Sequence, residues 1–468
     1  MTPVETPAPP VVPRRLADLV ALARHAFKTT VGKNALSLYS IQLAQYILPL
    51  ITVPYLVRVL GPERLGTLAF GQGLMAYFVL AVDYGFGLSA TRRISAQRED
   101  FDAVNRIVST IWTAKALLAL SGLCIVVILI RLVPRFHALS SLILILFVGV
   151  VGGVLFPAWL FQGLEQMVPI SVINLSVRTL SAAAMFAVVR RPEDYLLYAA
   201  LISFGALLAG VAGMWIAVRK FQLSFVLPSW GDIRECLREG WISFLTMGAI
   251  GFYTSANALI LGFLTNDLMV GFYSAAERVA RIAVSAFGPL SQAVYPRFSK
   301  LAVDSKRVAL QWGRTILVVM AALGLLMSAT LFAAAPLIVS IAFGPRYAAS
   351  VTALRLLSPL PFLIAVSNVL GVQVLFPFHR EKVVLASVAV GGAVNLAVAF
   401  LLAPVWRANG MAFSVLMAEL AVTAIQFGYL WKTNLNPLQV DGKSPADVPA
   451  QGPAFAKEAL VAITRADP

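Results

Sequence analysis

The sequence predicts an all-α, polytopic membrane protein of about twelve transmembrane helices. Three observations lead to this fold class: the composition, the regular return of long apolar runs, and the position of basic residues between those runs. Of the 468 residues, 59% are hydrophobic and only 13% are charged, and the mean hydropathy is +0.83. Such a composition is typical of a membrane protein, and no segment has the composition of a soluble catalytic domain.

Apolar runs follow one another from Ala35 to Trp431. A bilayer core about 30 Å thick needs roughly 20 apolar residues per helix, and about twelve runs of that length are present. Pro336 interrupts the ninth run and predicts a kink there. The predicted parts of the chain are a cytoplasmic N-terminal tail with an amphipathic helix (1–33), an N-lobe of six helices (34–218), a cytoplasmic linker with a second amphipathic helix (219–239), a C-lobe of six helices (240–431) and a disordered cytoplasmic tail (432–468).

The net charge of +15 comes from basic residues that flank the apolar runs. Most of the 37 Lys and Arg residues fall in the two tails and in the loops of one side, and positively charged loops remain on the cytoplasmic side. Both termini are therefore predicted to be cytoplasmic. Nucleic-acid binding would need basic residues gathered on a soluble face, so this pattern does not favour nucleic acid as a partner. The basic loops favour the anionic headgroups of a lipid bilayer instead.

The reactive side chains form no recognisable catalytic or metal-binding motif. Cys124 lies inside an apolar run and Cys236 on the predicted cytoplasmic side, so the two are not expected to form a disulfide. The three histidines have no partner at the spacing of metal ligands, and the HExxH, CxxC and GxxxxGK[ST] motifs are absent from the sequence. We therefore predict a protein with no metal, no cofactor and no enzymatic activity.

The two halves of the sequence show a weak repeat. An offset of 205 residues aligns RLGTLAFGQ with MVGFYSAAE, which places Gly66 over Gly271 and Gln72 over Glu277. The shared offset predicts two parallel halves of about six helices each. Chance similarity between apolar helices is the alternative explanation.

The eighth apolar run, GFYSAAERVARIAVSAFGPL, carries Glu277, Arg278 and Arg281 near the predicted bilayer midplane. At about 100° per residue these charges share one face of the helix with Ser274. Glu277 and Arg281 are four residues apart and are expected to pair, which leaves Arg278 in excess. Two interpretations remain open, because charges at this depth face either a neighbouring helix or a water-filled cavity: a structural ion pair, or a cationic site for an anionic substrate.

Polar residues in other runs favour a cavity. Gln42 and Gln45 share a narrow sector of the first helix, and Asn257 lies in a similar sector of the seventh. Further isolated charges in apolar runs are Asp83, Lys115, Arg178, Arg355 and Glu419. Together with the eighth run they predict a net basic cavity, which suits phosphate groups or acidic sugars.

Some of these charges have alternative roles. Lys115 and Arg355 could snorkel or pair structurally. Asp83, Glu277 and Glu419 are candidates for binding a coupling ion, H⁺ or Na⁺. Asp83 could instead pair with Arg92 or Arg93.

Three stretches, in a fixed order, carry a family resemblance. They are NALSLYSIQLAQYILPLITVPYLVRVLGPERLG near the N-terminus, VGFYSAAERVARIAVSAFGPLSQAVYPRFS in the middle and FGPRYAASVTALRLLSP near residue 350. Together they resemble the O-antigen and exopolysaccharide flippases of the multidrug/oligosaccharidyl-lipid/polysaccharide exporter superfamily. This resemblance implies two six-helix lobes around a V-shaped central cavity in the bacterial inner membrane.

The resemblance also implies a substrate, an undecaprenyl-diphosphate-linked oligosaccharide. The flippase would move it from the cytoplasmic to the periplasmic leaflet by alternating access, for O-antigen or exopolysaccharide synthesis. Arg278 and Arg281 would contact the headgroup, with Lys115, Arg178 and Arg355 as weaker candidates. A polysaccharide polymerase is a further candidate partner. The alternative is a cation-coupled multidrug exporter of the same superfamily, which would need an acidic, aromatic cavity.

Overall fold

The computed structural model describes residues 30–433 and 435–439, with side chains from Leu48 onward except at several positions between 242 and 255. Within these residues the chain forms helices and short helical turns and contains no strand, which confirms the all-α class. The described residues from Leu48 onward belong to one compact unit, and the contacts below lie within it. The side chains of the predicted site residues Gln42 and Gln45 are not among those described. Most of the two predicted tails also lies outside the described residues.

The first half of the chain, up to residue 221, contains mainly long helices. They are α1 (Thr30–Asp83), α2 (Phe86–Ala96), α3 (Phe101–Leu132), α4 (Pro134–Ala138), α5 (Ser140–Leu155), α6 (Ala158–Gly163), α7 (Met167–Val188) and α8 (Tyr195–Phe221). The second half begins at residue 230. Its helices are α9 (Trp230–Ser255), α10 (Asn257–Leu264), α11 (Asp267–Ser285), α12 (Gly288–Asp304), α13 (Lys306–Ile338), α14 (Ser350–Leu357), α15 (Leu360–Asn368) and α16 (Glu381–Lys432).

In the described part, eight helical stretches are long and apolar enough to cross a membrane by length and composition. Two of the long helices are bent, α1 at Gly61 (φ 70°) and α16 at Arg407 (φ 54°). Helix α16 has 52 residues, which at about 1.5 Å per residue is more than twice the thickness of a bilayer core. Its bend therefore divides it into two segments of spanning length. The count of twelve spans and the boundaries of the two lobes stay predictions.

The ninth run continues through its proline. Helix α13 includes Pro336 and passes directly into a π-helical turn, Val339–Phe343. A π turn accommodates one extra residue in the helical ladder. The helix is thus continuous through Pro336, and the predicted kink stays a prediction.

The linker between the halves lies against α3. The Ser224 amide donates to Asn105 Oδ1 at 3.2 Å, and the Val226 amide donates to Ser109 Oγ at 3.0 Å. These bonds satisfy polar backbone groups that have no helical partner. The linker is thus attached to the first half of the chain.

The predicted amphipathic helix of the linker forms the first turns of α9. Ser229 is its N-cap: its hydroxyl accepts from the Asp232 amide at 3.2 Å, while its own hydroxyl and amide donate to the Asp232 carboxylate at 2.7 and 2.9 Å. The hydroxyl bond, and then the amide bond, hold the pKa of Asp232 below its usual range. This reciprocal capping fixes where the helix starts.

The two halves meet at a pair of glycines. A Cβ atom on Gly66 would overlap the carbonyl oxygen of Asp267, and one on Gly271 would overlap that of Pro62. Asp267 follows Pro62 by 205 residues, and Gly271 follows Gly66 by the same number. The contact is therefore two-fold symmetric with the offset of the sequence repeat, which supports a true internal repeat. Small residues here allow the two backbones to touch.

Gly271→Ala is expected to destabilise the protein by about 1–3 kcal/mol, because the added methyl group must displace the Pro62 carbonyl. Thermal unfolding of the purified protein in detergent measures the change. Gly428→Ala in α16 is the matched control, since its new methyl group would meet no atom within 4 Å. Equal losses in the two variants would contradict a tight contact at Gly271.

Candidate functional site

Helix α11 carries the charges that the sequence analysis placed near the midplane. Its first residue is capped by Asn266, whose Oδ1 accepts from the Met269 amide at 3.1 Å. Helix α11 packs against α14 and α16, and one of its faces contains the fully buried residues Tyr273, Ala276 and Ala280. The charged residues therefore lie on the remaining face, as the helical period predicts.

Glu277 and Arg281 form an ion pair along this helix. Arg281 donates to Glu277 Oε1 from Nε at 3.0 Å and from Nη2 at 2.7 Å. The Glu277 side chain is 18% exposed and that of Arg281 is 55% exposed. The predicted pairing at a spacing of four residues is confirmed, and it neutralises one of the two arginines.

Arg278 reaches across to the first half of the chain. Its Nη2 lies 3.4 Å from Gln72 Oε1 of α1, and its guanidinium also interacts with the Tyr198 hydroxyl of α8. A hydrogen bond of that length is weak. Arg278 is therefore a cation at the interface that no described carboxylate pairs with at salt-bridge distance.

Two cavities adjoin this face of α11. One has a volume of about 250 Å³ and lies between α1, α10 and α11, where Gln72, Arg278 and Ser274 contribute to its wall. The other has a volume of about 230 Å³ and extends toward α15 and α16, where Leu360 and Glu419 contribute. Asn257, Glu277 and Arg281 line both cavities. The structure thus brings together five of the predicted site residues: Asn257, Glu277, Arg278, Arg281 and Glu419.

A buried hydrogen-bond chain fixes the wall at Asn257. Asn395 Nδ2 donates to Asn257 Oδ1 at 2.7 Å, and Ser414 Oγ donates to Asn395 Oδ1 at 2.8 Å. All three residues are at most 3% exposed. Such a satisfied polar network between helices holds its members in one orientation. The sequence analysis missed Asn395 and Ser414, although a lone asparagine in the apolar run GGAVNLAVAF was a usable signal.

The other predicted charges lie elsewhere. Lys115 is 2% exposed and donates to Asp83 Oδ1 at 2.9 Å and to the Gly153 carbonyl at 3.1 Å. Asp83 thus pairs with Lys115, and not with Arg92 or Arg93. Arg355 lies over the Phe332 ring at 5.4 Å, and Arg178 is exposed on α7.

None of these four residues, Asp83, Lys115, Arg178 and Arg355, lines either cavity. Among the described residues, the charged lining of the two cavities consists of two arginines and two glutamates. The excess of basic charge that the sequence analysis expected in the cavity is therefore not gathered there.

Over residues 31–302 the chain matches the model of the polysaccharide biosynthesis protein family. It is 30% identical over 408 residues to a protein of Escherichia coli K12 named "Putative O-antigen transporter", covering 87% of this chain and 98% of that protein. A protein of the same name from Shigella dysenteriae is 28% identical over 395 residues, covering 83% of this chain and 97% of that protein.

The fold resembles those of solved membrane transporters. The lipid II flippase MurJ in an inward closed conformation gives a TM-score of 0.65 at 11% identity, covering 86% of this chain and 89% of MurJ. An inward-facing multidrug resistance transporter of the MATE family, in the MOP superfamily, gives 0.62 at 14% identity, covering 83% and 94%. These likenesses establish a shared fold. Because the family model covers more than half of the chain and the relatives match along nearly their whole length, this chain belongs to the polysaccharide biosynthesis protein family, as its motifs predicted.

Proposed function

We propose that the protein is a flippase for an oligosaccharide linked to undecaprenyl diphosphate. In this proposal it moves the repeat unit from the cytoplasmic to the periplasmic leaflet of the bacterial inner membrane, by alternating access between its two halves. The observation that carries the proposal is the pair of cavities between otherwise apolar helices, both lined by Arg281 and one of them also by Arg278. The membership of the family and the names of the two relatives support the same substrate class.

The chemistry of the cavity fits a diphosphate. Guanidinium groups bind phosphate oxygens through two parallel N–H bonds. The partners of Arg278 are the neutral side chains of Gln72 and Tyr198, so it can bind an anion without breaking an ion pair. Arg281 would exchange Glu277 for the diphosphate, which carries more negative charge. The polyprenyl tail would remain in lipid while Asn257 and Gln72 offer amide groups to the sugars.

The same exchange suggests how ions could be coupled. When the substrate diphosphate binds the Arg281 guanidinium, the Glu277 carboxylate loses this partner and becomes a site for H⁺ or Na⁺. Glu419 lines the same cavity and is the second candidate. Asp83 is less suited, because it lies outside both cavities and pairs with Lys115. The positively charged loops place both termini on the cytoplasmic side in this proposal. A polysaccharide polymerase on the periplasmic side would consume the flipped units.

One observation favours a second function, the export of organic cations. The cavity of about 230 Å³ combines Glu277 and Glu419 with the apolar side chains of Val284, Leu360 and Ile364. Carboxylates with apolar walls are the kind of site that an organic cation prefers. A cation-coupled multidrug exporter is therefore the alternative.

Reconstituted protein distinguishes the two functions. Proteoliposomes are loaded with a radiolabelled short-chain polyprenyl-diphosphate oligosaccharide, and its arrival in the other leaflet is measured by its susceptibility to an external glycosidase. In parallel, the efflux of a cationic dye is followed by fluorescence. We expect movement of the lipid and none of the dye. Dye efflux without lipid movement would overturn the proposal in favour of the exporter.

A further inference from the structure

We propose that the internal repeat builds a two-fold latch, which holds one end of the central cavity closed. The latch is a pair of bonds: Arg135 and Tyr347 each donate to a main-chain carbonyl of the opposite half. This proposal deepens the alternating-access mechanism and rests on it, because a latch matters only if the halves move apart.

The two bonds are equivalent in the repeat. The Tyr347 hydroxyl donates to the Val57 carbonyl at 3.0 Å, and Arg135 Nη1 donates to the Gly262 carbonyl. Gly262 follows Val57 by 205 residues, which is the offset that also relates Gly271 to Gly66. Both acceptors therefore occupy the same place in the two halves: Val57 lies just before the bend of α1 at Gly61, and Gly262 lies just before the end of α10 at Leu264.

The donors lie in corresponding connections of the two halves, although 212 residues separate them and not 205. Arg135 lies in the short helix α4 that connects α3 to α5, and Tyr347 lies in the turn Pro345–Tyr347 that connects α13 to α14. In each half, the connection thus reaches over to the other half, to Val57 in α1 or to Gly262 in α10. Two bonds between corresponding segments of the two halves are more readily explained by a shared role than by two separate accidents.

Further bonds between the halves surround this pair. Arg135 also forms an ion pair with Asp267, and the Thr67 hydroxyl donates to the other oxygen of Asp267 at 2.6 Å. Arg58 Nε donates to the Ala342 carbonyl at 3.0 Å. Thr67, Arg135 and Arg58 belong to the first half, and their acceptors belong to the second. The halves cannot separate at this end without breaking these bonds.

The latch lies at one end of the cavity. Along α11 the order is Asp267, then the contact glycine Gly271, then the cavity residues from Ser274 to Arg281. At about 1.5 Å per residue, the cavity residues begin roughly 10 Å from Asp267. Helix α1 repeats this order, with Pro62 and Gly66 followed by cavity residues from Ala69 to Ala76. Breaking the latch would therefore open the cavity at the end that carries Asp267.

Pulsed electron paramagnetic resonance can measure that opening without any substrate. Spin labels are attached at Leu132→Cys in the first half and Ala349→Cys in the second, two exposed positions next to the donors, in a background with Cys124→Ser and Cys236→Ala. In Arg135→Gln we expect the ratio of the population at the longer distance to that at the shorter distance to rise about tenfold, since a charge-assisted bond and an ion pair are lost. In Tyr347→Phe, which loses one neutral hydrogen bond, we expect the same population ratio to rise about fivefold.

Two variants within the first half serve as controls. Tyr55→Phe removes the same kind of bond, because the Tyr55 hydroxyl donates to the Val189 carbonyl at 2.7 Å. Arg98→Gln removes an ion pair with Glu165 at 3.3 Å. Neither bond joins the halves, so neither variant should change the distance distribution.

The proposal is overturned if Arg135→Gln and Tyr347→Phe keep the parent distribution, or if the controls shift it equally. Should Arg135→Gln fail to fold, Tyr347→Phe decides, because it keeps the buried ring. A protein that moves no lipid can still give the expected distances, so failure here is distinct from failure of the proposed function.

Discussion

Arg278→Ala is expected to reduce the initial rate of lipid flipping roughly a hundredfold, while the protein stays folded. The reason is that Arg278 offers two parallel, charge-assisted bonds to a phosphate group, each a strong interaction in a water-poor site. Its contact with Gln72 is 3.4 Å long and its other partner is the Tyr198 hydroxyl; neither is an ion pair, so removing the side chain should cost little stability. The rate is measured in proteoliposomes with the short-chain lipid-linked oligosaccharide.

Two further variants make this test specific. Arg278→Lys keeps the charge but loses the planar fork, and we expect a loss of about tenfold. Arg355→Ala is the matched control, since Arg355 is an exposed arginine that lies over Phe332 and lines neither cavity; it should flip lipid at the parent rate. If Arg278→Ala also flips at the parent rate, this arginine only joins the two halves and the anion site lies elsewhere.

Asp83→Ala is expected to destabilise the protein by about 2–3 kcal/mol, because it leaves the Lys115 ammonium group buried without its counter-ion. Lys115 is 2% exposed, whereas Asp83 is 59% exposed, so the loss should be smaller than for a pair buried on both sides. The free energy of unfolding is measured by titrating SDS into mixed micelles.

The double variant Asp83→Asn with Lys115→Met separates a structural role from a functional one. Because no unpaired charge remains, it should recover most of the lost stability, and it should flip lipid at the parent rate. Glu165→Ala, which breaks the exposed pair with Arg98, is the control and should cost less than about 1 kcal/mol. A stable double variant that no longer flips lipid would instead place Asp83 and Lys115 in the transport cycle.

The described charged side chains that line the two cavities are two arginines and two glutamates, so the lining is nearly neutral. Glu277 pairs with Arg281, and Glu419 lies in the same wall. A carrier that must return empty benefits from such pairing, since unpaired arginines in a closing, water-poor cavity are costly. In the proposed cycle the diphosphate and Glu277 take turns as the partner of Arg281.

Sequence alone determined the features that depend on neighbours along the chain. The composition and the length of the apolar runs fixed an all-α membrane protein, and the spacing of Glu277 and Arg281 fixed their ion pair, because residues four apart lie on the same side of a helix. The offset of 205 residues that relates Gly66 to Gly271 was also visible in the amino-acid sequence. The three motif stretches correctly indicated the family.

Only the tertiary structure decided which helices meet, and therefore which charges become partners. Lys115 pairs with Asp83, Asn257 accepts a hydrogen bond from Asn395, and Arg135 pairs with Asp267. Arg178 and Arg355 do not line either cavity. The helical period fixes the face on which a side chain lies but carries no information about the helix opposite that face. That choice depends on close packing between helices, as at Gly66 and Gly271, where two backbones touch because no side chain separates them.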